Sequence, residues 1–467
     1  MVRDPGLLRI VLLLTICPAV VSQDQPWKVK PEWVRAHEMF LASDALRGRA
    51  SASPDELLAA TYVAAQFERF GIKPGLSDGS YIQPVELTEP VIRGKITITT
   101  PQSKFRPLEQ GKDFFVTRTR GESISGPLLR IAAENASTAQ IQPGAVVLLD
   151  GDLADPSRTV FRRLLLAGAK AVLQTQAPNQ RPVPVQPPSI RPHLPGAEAS
   201  SGGLTAISIT ADAGRRLAGL PDGTTVAIRI PTTDEPRYSY NAVGVLPGKN
   251  SEAGKVILLS AHLDHLGVRE PINGDSIYNG ANDDASGTTA VIELAHALAS
   301  GPTPQRTIYF VCYGSEELGG LGSTYFREHS PMQLGRIAAN LEFEMIGNQD
   351  PKMAKGTMLL TGWDRSNLGP TLVEHGALLG DDPYPEQHFF ERSDNYPLAL
   401  KGVVAHTAGG WGTPPTYHKP DDDIAHLDFD FMTAAIQSLI EPVRWLANSD
   451  FVPQWLPGKQ PNAGQTY

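Results

Sequence analysis

Val256-Ile257-Leu258-Leu259-Ser260-Ala261-His262-Leu263-Asp264-His265 opens the stretch whose reading decides the fold, and Thr307-Ile308-Tyr309-Phe310-Val311-Cys312-Tyr313-Gly314-Ser315-Glu316-Glu317 closes it. Each begins with an apolar or β-branched run of strand length, and residues 289–299 between them have helical character. Strand, helix, strand implies parallel strands buried on both faces. The expected class is therefore α/β, with a mostly parallel central sheet flanked by helices. In such sheets ligands bind beyond the carboxyl ends of the strands, which is where both runs deliver histidine and carboxylate side chains.

Around this unit the chain has 467 residues, 41% of them hydrophobic and 19% charged, enough apolar material for more than one globular core. The net charge of -9 and the lack of any long Lys/Arg run argue against a nucleic-acid surface, so peptide or small-amide chemistry is favoured. Residues 1–22 have the pattern of a secretory signal: Arg3 and Arg9 flank or interrupt an apolar run, and Val20 and Ser22 suit cleavage. Secretion or periplasmic location is the expectation. Lipid attachment at Cys17 is a lesser alternative, because Ile16 is bulky for that position. No other stretch reads as a membrane span. Without the leader, Cys312 is the remaining cysteine, so no intrachain disulfide is expected, and its apolar surroundings suit a buried small hydrophobe.

Ser53-Pro54-Asp55-Glu56 reads as a capping box with proline in the first turn. Leu57, Ala60, Val63, Phe67 and Phe70 then give a helix one apolar face, which Gly71 ends. Residues 23–120 are assigned to the amino-terminal part of the main domain. Residues 121–234 read as a smaller inserted α/β or β-rich module, 235–450 as the catalytic domain, and 451–467 as a tail. Within the module, seven prolines between Pro178 and Pro195 exclude helix and central strand and imply an extended loop.

Three further loops join the two strand ends: residues 279–287 with Asp283, residues 340–347 with Glu342 and Glu344, and Tyr417-His418. Taken singly, His262 reads as an ordinary histidine and Glu316-Glu317 as a solvated turn. Gathered on one rim, the carboxylates would repel one another unless cations neutralised them. Mixed imidazole and carboxylate donors suit zinc, and their number suits two ions. A carboxylate beside such ions, as Glu316 would be, can take a proton from activated water and pass it to a leaving amine.

The motifs Ala261-His262-Leu263-Asp264, the run from Gly280 to Gly287, Glu316-Glu317, Glu344-Met345-Ile346-Gly347 and Tyr417-His418 resemble those of the co-catalytic di-zinc aminopeptidases and their relatives, glutamate carboxypeptidase II and the transferrin receptor. The resemblance implies two Zn2+ held by His262, Asp283, Glu317, Glu344 and His418, with Asp283 bridging. It makes Glu316 the general base and Asp264 the partner of the second ring nitrogen of His262. Leu46-Arg47-Gly48-Arg49 is similar to the family's amino-terminal portion, and the module to a protease-associated domain. Glu344 departs from the family's usual aspartate, with Glu342 as the alternative ligand. Tyr417 resembles an oxyanion-holding tyrosine. Ser393-Asp394-Asn395 resembles a Ser-Asp-His element that has lost its histidine. His265, His406 and His426 read as structural or surface residues.

The function implied is a secreted zinc exopeptidase, most simply an aminopeptidase. The alternatives are a carboxypeptidase, for which Arg392 is one candidate carboxylate clamp, a glutaminyl cyclase-like transferase using one zinc, and a non-catalytic receptor-like protein. Side-chain preference and oligomeric state are not legible.

Overall fold

The computed structural model describes residues 27–119, 121–151, 158–176, 190–196, 205–250 and 254–462. The expected leader with Cys17, and residues 177–189 of the proline-rich stretch, lie outside these residues. Among them, nine strands form the larger sheet. Eight follow in the order Lys73–Pro74, Thr232–Leu246, Ile308–Tyr313, Val256–His262, Ile337–Glu344, Ala405–Gly409, Met358–Leu360 and Leu379–Asp381, and Ile82–Ile92 also pairs with Thr232–Leu246. The block from Ile308–Tyr313 to Ala405–Gly409 is parallel. Its flanking strands Thr232–Leu246 and Met358–Leu360 are antiparallel, so the sheet is parallel at its centre and mixed at its edges.

Register places the site. His262 lies opposite Tyr313, Ser260 opposite Glu342, and Glu344 opposite Gly409, so the four parallel strands end at one level. Every residue of Val256–His262 is buried, as a central strand covered on both faces requires. Helix Ser286–Ala299 makes the crossover and packs with Phe429–Asn448, Pro31–Leu41 and Pro54–Arg69 over one face. Phe67 and Phe310 meet in this core, fully buried, with ring centroids 6.0 Å apart. Truncating Phe310 to alanine should therefore lower unfolding free energy by ~3–5 kcal/mol, read as a lower denaturant midpoint at unchanged slope. An unmoved midpoint would mean that the core closes without this ring.

Ser53 caps helix Pro54–Arg69 as expected, its Oγ accepting from the backbone N–H groups of Asp55 and Glu56 at 3.2 and 3.3 Å. Glu56, however, does not reach back to complete a capping box. Its buried carboxylate accepts from Ser239 Oγ at 2.9 Å and from the Ser315 N–H at 2.8 Å, tying the helix to the loop that carries Glu316.

Strands Ile82–Ile92 and Thr232–Leu246 pair along their length, from Thr232↔Ile92 to Ala242↔Ile82, and this ribbon carries the chain out to a second sheet and back. That eight-stranded sheet holds the parallel strands Ile124–Ala132, Val146–Asp150, Ala171–Thr175 and Thr205–Ile209. It also takes in Thr97–Thr99, Leu108–Glu109 and Phe114–Arg118, which lie ahead of the expected boundary at residue 121. These strands are short, and only their burial against Val146, Leu148 and Ile207 through Ile98, Phe114 and Val116 gives them a place. Cys312 is free and buried, and burial pushes its thiol well above the ordinary range, so it is unreactive. Among the described residues, no helix is long and apolar enough to cross a membrane.

Candidate metal centre

The carboxyl rim gathers the separated loops through buried backbone contacts. Arg49, 0% exposed, donates to the carbonyls of Leu41, Leu263, Asn279 and Gly280 at 2.5–2.9 Å, stitching the segment after His262 to the turn before Asp283. Asp284 accepts from the N–H groups of Gly287 and Met345, both at 2.9 Å, and Asp422 accepts from those of Asn282 and Asp283 at 2.8 and 3.1 Å. The Asp283–Asp284 peptide is cis. Ser315, Met345 and His418 all adopt positive φ, at +53°, +53° and +56°. Non-glycine residues take that conformation only where their surroundings enforce it, and these three adjoin or belong to the candidate ligand set.

Asp283 stands at the centre. Its Oδ1 lies 3.2 Å from His262 Nε2 and its Oδ2 lies 3.1 Å from His418 Nε2, so its two oxygens face two imidazoles. Donor atoms of His262, Asp283 and Glu344 lie within 4.8 Å of one another, and so do those of His265, Asp283 and Glu317. His418 Nε2 also approaches Glu317 Oε1 at 3.3 Å. The five expected ligands and Glu316 thus meet at one place, together with His265, which had been set aside as structural.

The expectation for Asp264 changes, and the preference for Glu344 over Glu342 gains support. The second ring nitrogen of His262 faces the backbone carbonyl of Asp264 at 3.2 Å, whereas the Asp264 carboxylate is 3.7 Å away, beyond hydrogen bonding. That carboxylate accepts from Ser51 Oγ at 2.5 Å and from the N–H groups of Glu316 and Glu317 at 3.0 and 3.4 Å, so it orients the Glu316-Glu317 loop. Glu342, the alternative to Glu344, has both oxygens occupied. It accepts from Ser393 Oγ, Thr407 Oγ1 and the N–H groups of Asp394 and Asn395, and this is what Ser393-Asp394-Asn395 does here. His406 is buried and bonded to Ser366 Oγ and the Thr361 carbonyl, and His426 is exposed beside Asp423, as their structural or surface readings expected.

The electrostatics describe carboxylates in need of positive charge. Burial opposes ionisation of Asp283, yet His265, His262 and His418 together hold it well below the usual range. Burial and Asp283 oppose ionisation of Glu317, and His265 and His418 bring it to about 2. Burial opposes the charge on His418, and Asp283 and Glu317 raise it to about 9. Glu344 is pushed up to about 7 by burial and by Glu342, against the pull of His262. The charge that protonated imidazoles supply here is what divalent cations would supply. The contacts agree. Buried His262 Nε2, both ring nitrogens of His265 and Glu317 Oε1 make no hydrogen bonds although oxygen or nitrogen atoms crowd them, an arrangement that suits atoms converging on an ion. The donor set fits zinc.

A cleft opens on this cluster, lined by Asp283, Glu316, Glu344, Tyr417 and His418 and by Met345, Leu359, Phe389 and Arg392. A mixed α/β sheet with a shared carboxylate between histidines at its carboxyl rim defines a zinc exopeptidase-type protein. Residues 241–441 match the model of Peptidase family M28, and the chain is similar to zinc aminopeptidases. It is 25% identical over 345 residues to aminopeptidase YwaD of Bacillus subtilis, covering 69% of each chain. Two solved structures share its fold. An aminopeptidase from Aneurinibacillus sp. strain AM-1 has a TM-score of 0.57 and 17% identity, covering 91% of this chain and 96% of that one. A zinc aminopeptidase from Bacillus subtilis has 0.54 and 19%, covering 91% and 98%.

Proposed function

We propose that the protein is an exported aminopeptidase that removes N-terminal residues from peptides, using two zinc ions that share Asp283 and Glu316 as general base. The observation that carries this reading is the placement of the two Asp283 oxygens against His262 and His418, with Glu344 on one side and Glu317 on the other. His262, Asp283 and Glu344 would hold one ion, and Asp283, Glu317 and His418 the other. Bound there, the ions supply Lewis acidity that polarises a scissile carbonyl and acidifies water. Glu316, at the cleft wall beside these ligands, takes the proton from water and delivers it to the leaving amine. Tyr417, its ring stacked on His418 at 3.8 Å, lines the same cleft, and its O–H would donate to a developing oxyanion. Met345, Leu359 and Phe389 form the apolar part of the pocket for a substrate side chain. The module on the second sheet is read as a protease-associated domain on its resemblance.

Arg392 in the cleft favours one second reading, a carboxypeptidase that grips a free carboxylate. A panel of aminoacyl-anilides and carboxyl-blocked peptides separates the two. An aminopeptidase cleaves both and loses the activity to a chelator, with recovery on adding Zn2+. Cleavage confined to peptides with a free carboxylate would establish the second reading, cyclisation of an N-terminal glutamine would point to the transferase, and full activity in chelator would end the metal account.

A further inference from the structure

His265 is the buried group in this region with the least conventional explanation. It is 1% exposed, its Nε2 has no hydrogen-bond partner among the described residues, and its Nδ1 meets only carboxylate oxygens of candidate ligands. Its Nδ1 is 2.9 Å from Glu317 Oε1 and 3.8 Å from Asp283 Oδ2. Those are the same two oxygens that His418 Nε2 approaches, at 3.3 and 3.1 Å. The two imidazoles come at the pair from different directions, their planes 74° apart and their centroids separated by 5.6 Å. Two imidazole nitrogens therefore face the same two carboxylate oxygens. A tetrahedral zinc site asks for four such donors.

The slot for this ring is built from several elements. The His265 N–H donates to the Arg49 carbonyl at 3.0 Å, fixing the backbone against the segment that Arg49 anchors. Gly280, at φ +62°, gives way to the ring: a Cβ there would lie 2.4 Å from His265 Cγ and 2.6 Å from Cδ2. Any side chain at 280 would push the imidazole out.

The cleft reaches both halves of the cluster, lined by Asp283, Glu344 and His418 but not by His262, Glu317 or His265. We propose that His265 is a fourth protein ligand of the ion that Asp283, Glu317 and His418 would hold, which makes that position closed, while the position of His262, Asp283 and Glu344 has three protein ligands and keeps one place for water. Four protein ligands fill a tetrahedral zinc site and three leave it open, so the two ions are not equivalent and differ in how much Lewis acidity each supplies. This rests on the two-ion reading above.

The test is Zn2+ titration of the metal-stripped full chain in competition with a chelating indicator, for the wild type, His265→Ala and His265→Asn. The wild type should bind two ions in two steps of unequal affinity. Both variants should weaken the tighter step by at least ~10–100-fold, the loss that removing even a supporting outer residue produces, and leave the looser step within twofold. With Co2+ as probe, the tetrahedral visible absorption should fall in the variants by the share of the closed site. Unchanged affinities and spectra in a folded variant would overturn the assignment of His265, and so would weakening confined to the looser step. A wild type that binds fewer than two ions would instead remove the two-ion reading, whatever the variants do. His265→Asn, close in size near Cγ, keeps the test informative if the alanine variant fails to fold.

Discussion

Glu316→Gln should lower peptide hydrolysis by ~10²–10⁴-fold, the range general-base removal produces, with metal content and KM little changed. The side chain at 316 is held by its loop. The Glu316 N–H donates to Asp264 at 3.0 Å, and the preceding Ser315 is fixed at positive φ with its N–H on Glu56 at 2.8 Å. Glutamine fills the same space without disturbing those bonds, so a loss of rate reports the missing proton acceptor. Burial raises the Glu316 carboxyl above the ordinary carboxylate range, His262 opposes the rise, and the nearby charges of Glu317, Asp394 and Glu344 add to it. Cations beside it would favour the ionised form that a base requires. Undiminished turnover in this variant would refute the assignment, and loss of metal would move Glu316 into the ligand set.

Asp283→Ala should abolish activity by a different route, through the metals. Among the described residues Asp283 belongs to both donor clusters, with one oxygen against His262 and the other against His418 and His265. Removing it would take a ligand from each proposed ion at once and leave His262, His265 and His418 without the carboxylate they share. The affinity loss should exceed the ~10–100-fold that an outer partner contributes, and at least one ion should be gone from the dialysed protein. Metal analysis beside a thermal melt separates this from simple misfolding. Two ions retained at wild-type affinity would place the bridge at another carboxylate.

The contrast between Glu342 and Glu344 shows where sequence reading reaches its limit. They stand two apart on one strand and so point to the same side, and only the motif Glu344-Met345-Ile346-Gly347 favoured the second as ligand, without a physical reason for what the first does. The distinction comes from Ser393, Asn395 and Thr407, more than fifty residues away, which occupy Glu342 and leave Glu344 facing the cleft. His265 is the same case: three residues beyond a candidate ligand, it had no signal of its own until the turn at Gly280 and the backbone of Arg49 brought its ring against Asp283 and Glu317. A single histidine three positions after His262 could have raised the question, but not its answer.

What the amino-acid sequence determined by itself was the strand-helix-strand unit and the short polar motifs at its strand ends. Apolar runs long enough to be buried on both faces can form only a central sheet, and a rim is where the chain after such strands must emerge. The tertiary structure alone decided which rim residues face one another, because that depends on register. His262 level with Tyr313 and Ser260 level with Glu342 put loops from separate parts of the chain at one height. Buried Arg49, Glu56, Asp284 and Asp422 then lock those loops together through backbone hydrogen bonds that no local pattern encodes.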